Sequence, residues 1–336
     1  MHCCGNQILN RRVNMQTLVR DVEKLWNGKK ASFEQRIAGW VNDVNKNKAK
    51  TEEARKRFHQ WDPLRVYTSV SRIKNAPAYF SLRFFGQEVA VIQANGKQAV
   101  QLSIEPKHVN WTERDFDKNF RSKFNAGKIP WDSARAKRFR ELFKAIKNPT
   151  PHSREHLVET EIINSMKKFP SKSGISNIQP VFFADCPLQV PLPIKGSSGV
   201  PEESRGGNMD ILARRGKGGR NARLSVWELK KPGMPNAALI KAIKQSIIYA
   251  STLRMVLRSQ SGPEWYKLFG FNGRLPKNLK IEAVLTIAHK DKDEFEQAKK
   301  TLSPWTPLCM GNDSILPHVA YYNDATYKVQ QIIPIN

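Results

Sequence analysis

Residues 224–233 read "LSVWELKKPG", a short run that is apolar on both of its alternating faces and then ends in charge at a Pro-Gly turn. In a strand, Leu224, Val226, Glu228 and Lys230 share one side and Ser225, Trp227 and Leu229 the other. A strand apolar on both faces is central in its sheet and covered by helices, so Glu228 and Lys230 are expected at the end of a buried element. Removing a carboxylate and an ammonium from water is costly. A structural ion pair is one explanation, and a site that needs both charges is the other.

The neighbouring segments favour the site. Upstream, "GGNMDILARR" reads as a strand over 208–214 with Asp210 on the side of Leu212, and the basic, glycine-rich link "RRGKGGRNA" suits a hairpin to the strand over 223–231. Asp210 and Glu228 then face each other on adjacent strands within roughly 5 Å. Two carboxylates that close repel unless a cation lies between them. A hard divalent ion, Mg2+ with Mn2+ able to substitute, takes carboxylate oxygens, waters and a substrate phosphate. Lys230 on the same face would orient or help deprotonate an attacking water, or stabilise charge building on the phosphate.

Two helices complete the constellation. In a helix over 153–168, Glu155, Val158, Glu159, Ile162 and Met166 form one stripe, so two acids share the face that packs on the sheet. Glu159 is the preferred third metal ligand and Glu155 the backup, since an acid at a helix start is also explained by the dipole. In a helix over 236–257, Lys241, Gln245 and Tyr249 recur every four residues, a stripe able to hold a phosphate or a base.

The chain has 336 residues, 40% of them hydrophobic, with 56 Lys and Arg against 30 Asp and Glu, a formal charge of +26. That excess favours a polyanion, and nucleic acid before a membrane surface, because cations that displace condensed counterions bind phosphates whatever the sequence. No run approaches the ~18 apolar residues that span a bilayer, and the N-terminus lacks a signal-peptide pattern, so a cytoplasmic protein is expected. Cys3, Cys4, Cys186 and Cys309 have no zinc or cluster spacing, and the pair His152 and His156 has no further ligand beside it.

Residues 15–60 show helical periodicity, and the alternating stretch from Ala76, with Asn95-Gly96 as a tight turn, predicts a small antiparallel sheet. Residues 111–147 interleave aromatic and basic residues, which reads either as a nucleic-acid surface or as helices burying Phe116, Phe120, Phe139 and Phe143. "KNPTPHS" at 147–153 marks a boundary between a basic N-terminal α+β domain over 1–150, suited to binding nucleic acid, and an α/β domain over 151–336. Arg214, Arg215, Lys217, Arg220 and Arg223 of the hairpin are candidate backbone contacts.

The order of these residues, helix Glu159 (or Glu155), strand Asp210, then Glu228-Leu229-Lys230, resembles the PD-(D/E)XK phosphodiesterase superfamily, and "QSIIY" at 245–249 is similar to the QxxxY motif of its RecB-type branch. The resemblance covers 151–290. It implies a restriction-endonuclease-like core, a mixed central sheet flanked by helices, and a Mg2+-dependent deoxyribonuclease. Asp210, Glu228 and Glu159 would hold the metal, Lys230 would assist the water, and Gln245 and Tyr249 would help place the nucleic acid. DNA is preferred over RNA as partner, cleavage from ends or within the strand is left open, and a homodimer is compatible with it. Met209 stands where the family name has proline, the cysteines of iron–sulfur members are absent, and no Walker loop supplies a motor. The alternative is a nucleic-acid-binding protein with a nuclease-like fold and no cleavage activity.

Overall fold

The computed structural model describes residues 13–73, 78–94, 98–146, 154–167, 177–216, 222–303, 305 and 307–335. The first part of the chain runs β1 (Val13–Asn14), α1 (Met15–Gly28), α2 (Lys30–Lys56), β2 (Arg65–Ser69), β3 (Ala78–Phe84), β4 (Gln87–Ala94), β5 (Gln101–Ile104), α3 (Pro106–Asp115), α4 (Phe120–Lys123), β6 (Gly127–Pro130) and α5 (Ala134–Ala145). Then come α6 (Arg154–Lys167), β7 (Ile178–Pro180), β8 (Phe182–Phe183), β9 (Cys186–Gln189), β10 (Pro191–Lys195), β11 (Glu202–Asn208), β12 (Ile211–Arg215) and β13 (Arg223–Leu229). The chain closes with α7 (Asn236–Arg258), α8 (Gly262–Leu268), β14 (Lys280–Ala288), α9 (Lys292–Lys300), β15 (Leu302–Ser303), β16 (Leu308–Met310), β17 (Asp313–Tyr322) and β18 (Val329–Pro334). The fold is mixed α/β.

Among the described residues one sheet has the order β16-β17-β14-β13-β12-β7, with β18 on β17. β13, β14 and β17 run parallel and the other pairings are antiparallel. β13 is central, as its two apolar faces require. Leu224 and Val226 join a core with α7, while Trp227 and Leu229 join another with Val158, Ile162 and Met166 of α6. The end of β13 therefore opens between two helices.

A second sheet has the order β6-β5-β4-β3-β2-β9-β8. Its antiparallel part follows the alternation from Ala76; the turn expected at Asn95-Gly96 lies outside the described residues, as does the 147–153 segment. Phe120, Phe139 and Phe143 are fully buried and cluster edge-to-face or tilted, with Phe116 packed against them, so these rings build the core of this sheet. Burial of each ring contributes about 1.5–3 kcal/mol, which explains why they face inward.

A boundary near residue 150 divides the chain in sequence, but packing crosses it in both directions. Met15, Leu18, Val22 and Trp26 of α1 are buried in the same core as α7. Conversely β9, from the second half, pairs in parallel with β2. The β3–β4 turn also abuts α6: Gly86 has φ +79°, and a Cβ there would collide with the backbone carbonyl of His156. Only glycine fits that approach. No helix among the described residues is long and apolar enough to cross a membrane.

Candidate active site

The β12–β13 register pairs Ile211 with Trp227 and Leu212 with Val226, so Asp210, in the bend just before β12, falls level with Glu228. Asp210 Oδ2 accepts a hydrogen bond from the Leu229 N–H at 2.8 Å, which ties the two strand ends together. Glu228 is 1% exposed; its Oε1 accepts from Lys230 Nζ at 2.7 Å, and its Oε2 is buried without a hydrogen-bond partner among the described residues. The Lys230 backbone is fixed on both sides, its N–H donating to Thr286 O at 2.9 Å and its carbonyl accepting from the Tyr322 hydroxyl at 2.7 Å. A buried lone pair left open costs about 1–3 kcal/mol, so the site is held short of saturation by a rigid frame.

From α6, Glu155 Oε1 lies 3.6 Å from Lys230 Nζ. Glu159, one turn on, is buried and lies 3.6 Å from Arg83 Nη1 of β3, its Oε1 also without a hydrogen bond. Glu155, the backup on sequence grounds, is thus the acid beside the lysine, whereas Glu159 faces the second sheet. On α7, Gln245 Nε2 donates to the Tyr249 hydroxyl at 3.3 Å. Burial, and then the Glu228 charge, push the Tyr249 phenol up, so this pair looks onto the same acids.

Four carboxylates meet two cations here, Lys230 and Arg83, so negative charge is in excess. Burial pushes Asp210 up to about 6, with Glu155 adding to it and the Leu229 N–H and Lys230 opposing. Burial likewise lifts Glu159 to about 7, Arg83 opposing and Asp210 adding. Glu228 is raised well above the usual carboxylate range by burial and then by Asp210. For Lys230 burial acts downward, but Glu228 and Glu155 outweigh it and hold the ammonium above its ordinary value. Lys230 is therefore a cation at neutral pH, a donor and a counter-charge rather than a resting base.

Glu155, Glu159 and Asp210, without Glu228 or Lys230, line one wall of a cleft of about 450 Å³, and Arg83 of β3, Arg72 just after β2, and Lys107 and the half-buried Trp111 of α3 line the other. The opposite wall is built on Glu88, which accepts from Arg72 at 2.7 Å and contacts His108 Nε2 at 3.0 Å. Burial acts upward on Glu88, yet the hydrogen bonds from His108, Arg72 and Ser81 hold it far below the usual range. The acid stays ionised and keeps Arg72 in place.

The hairpin arginines are engaged elsewhere. Arg223 Nε lies 2.8 Å and Arg215 Nη1 3.2 Å from the fully buried Glu282, so both neutralise a core charge. Arg214 donates to the Gly270 carbonyl at 2.9 Å and to Gln179 at 2.8 Å. Lys217 and Arg220 lie outside the described residues, and Lys241 is exposed beside Gly199 and Glu202. His156 lines the cleft with burial holding it neutral, and His152 lies outside the described residues.

Arg83 is the residue that sequence reasoning missed. Its signal was faint, one cation inside the largely apolar "AYFSLRFF". Among the described residues no three His, Cys, Asp or Glu side chains form a ready-made metal cage. Comparisons of the chain with known protein families, with curated proteins and with solved structures find no match in any of the three.

Proposed function

We propose that this protein is a metal-dependent nuclease that hydrolyses phosphodiester bonds of DNA, with its central sheet and flanking α6 and α7 as a restriction-endonuclease-like core. The observation that carries the reading is the level pair Asp210 and Glu228 at the end of a buried strand, with Glu228 Oε2 open and Lys230 hydrogen-bonded beside it. Such an arrangement is costly as it stands and becomes favourable when a hard cation and a phosphate enter.

The residues fit magnesium. That ion dehydrates reluctantly and binds through one or two carboxylates plus waters and substrate phosphates, so a three-acid protein cage is not required. Asp210 and Glu228 would hold it, with Glu155 or Glu159 reaching it through water. Bound magnesium supplies charge stabilisation at the phosphate and a more acidic water. Lys230, released from Glu228, donates to a phosphate oxygen and offsets the charge that grows there. Gln245 and the Tyr249 hydroxyl fix the direction of the strand. The basic wall supplies affinity without reading sequence.

Supercoiled plasmid, linear duplex and single strands incubated with Mg2+, Mn2+ or EDTA test this. Cutting is expected with either metal and not with EDTA, and Lys230→Ala should lower the rate about a thousandfold. Survival of the closed circle while linear DNA is degraded would mark an exonuclease. A native protein that binds DNA or RNA but cuts neither would instead support a binding protein with a nuclease-like fold.

A further inference from the structure

We infer that Arg83, carried into the cleft by β3, grips the nucleic-acid phosphate opposite the acidic cluster, an inference that rests on the nuclease reading above for which phosphate it meets. Three contacts hold the guanidinium: Nη2 donates to Gln189 Oε1 at 2.7 Å, Nε donates to Ser81 Oγ at 3.2 Å, and the group lies 4.4 Å from the Tyr67 ring centroid. The remaining nitrogen, Nη1, stands 3.6 Å from Glu159 Oε1, and that buried oxygen has no hydrogen-bond partner. A closed guanidinium–carboxylate pair sits at about 2.7–2.9 Å, so this one is drawn together but left open.

The other cations of the cleft are committed. Arg72 is paired with Glu88 at 2.7 Å and Lys107 with Glu105 at 2.9 Å. Arg83 alone among these three lies beside Glu159 while keeping one nitrogen, Nη1, outside any hydrogen bond among the described residues. A guanidinium fixed on its far side, with Nη1 left beside Glu159 at the edge of a polar cleft, can turn that donor to a phosphate oxygen. Its anchors come from both halves of the chain, Ser81 and Tyr67 from the first and Gln189 from the second, so docking of the two sheets sets its position. A phosphate arriving there would also give Glu159 a reason to stay protonated or to turn to water.

Two readouts test the grip. In EDTA, the dependence of oligonucleotide affinity on salt should lose about one unit of log–log slope in Arg83→Gln, because one phosphate contact is removed. With Mg2+, kcat/KM should fall about a hundredfold, the cost of losing one fixed donor at the reacting group. Both losses should persist when Arg83→Gln is made in the E159Q background. An unchanged slope, or a loss that disappears with E159Q, overturns the inference and leaves Arg83 as a counter-charge to Glu159. Should Arg83→Gln fail to fold, as judged by its unfolding midpoint, Arg83→Lys decides. It keeps the charge but not the fork, so the slope should stay native while kcat/KM falls about tenfold; native kcat/KM overturns the grip. Binding with an Arg83-dependent slope but no cutting by the native protein would sink the nuclease reading and leave the grip standing. Cutting in which Arg83 is dispensable to both readouts would do the reverse.

Discussion

Asp210 is held up to about 6 by burial although its ordinary value is 3.8, so the folded chain keeps a proton that the unfolded chain has released. The resulting stability is fully present below pH 3.8 and is lost as pH rises through about 6. At roughly 1.4 kcal/mol per pH unit, the carboxylate costs the metal-free fold about 3 kcal/mol once it is ionised. Asp210→Asn removes that cost while leaving an oxygen for the Leu229 N–H. In urea unfolding without metal, the variant should exceed the native protein by about 1–3 kcal/mol at pH 7.5 and match it near pH 4. It should also be inactive, and Mg2+ should narrow the stability gap by binding the native protein alone. Equal stabilities at pH 7.5 would show that Asp210 carries no stored charge. Glu228 and Lys230 stood out in sequence because charge at the end of a doubly apolar strand is costly to bury. Arg83 did not, because its meaning depends on Glu159 and Gln189, which lie far away in sequence and are brought close only by docking of the sheets.

The elements that local periodicity writes were legible, and those that long-range pairing writes were not. The stripe of Val158, Ile162 and Met166 predicts a helix over 153–168, and α6 spans Arg154–Lys167; the helix expected over 236–257 is α7, Asn236–Arg258. No pattern in the four residues of β9 announces that they leave their own half to extend the other sheet along β2. The β12–β13 hairpin shows the same limit. Its arginines look like a phosphate grip in sequence, but Glu282 on β14, fully buried, draws in Arg215 and Arg223. A buried carboxylate stripped of its cations costs about 3–5 kcal/mol. The double variant R215A/R223A should therefore lose stability on that scale in denaturant unfolding. Its salt dependence of DNA affinity should stay native. A reduced slope with unchanged stability would return these two arginines to the nucleic-acid surface.

At the scale of the whole molecule, the +26 charge and the acid cluster would be complementary under the proposed function: the basic excess would draw a polyanion toward carboxylates that a divalent ion would neutralise. Acids on one wall and cations on the other come from different halves of the chain, so the cleft, unlike the Asp210–Glu228–Lys230 cluster itself, exists only when both halves are docked. Composition change at 147–153 reads as a domain boundary because it registers linkers, not contacts made far away. Packing contradicts independence: Leu18, Val19, Val22, Trp26, Phe33 and Ile37 from the first two helices are buried in the core that contains α7. At about 1.5–3 kcal/mol each, their removal forfeits on the order of 10 kcal/mol, comparable to the whole stability of a domain. A chain started at residue 151 should therefore show no cooperative urea transition and no cleavage, whereas the full chain should unfold with fluorescence and far-UV circular dichroism in step, since Trp26 reports from the shared core. Co-expression of residues 1–150 with 151–336 should restore both the transition and any activity. A 151–336 fragment that unfolds cooperatively by itself would mean that α1 and α2 decorate the second half rather than complete it.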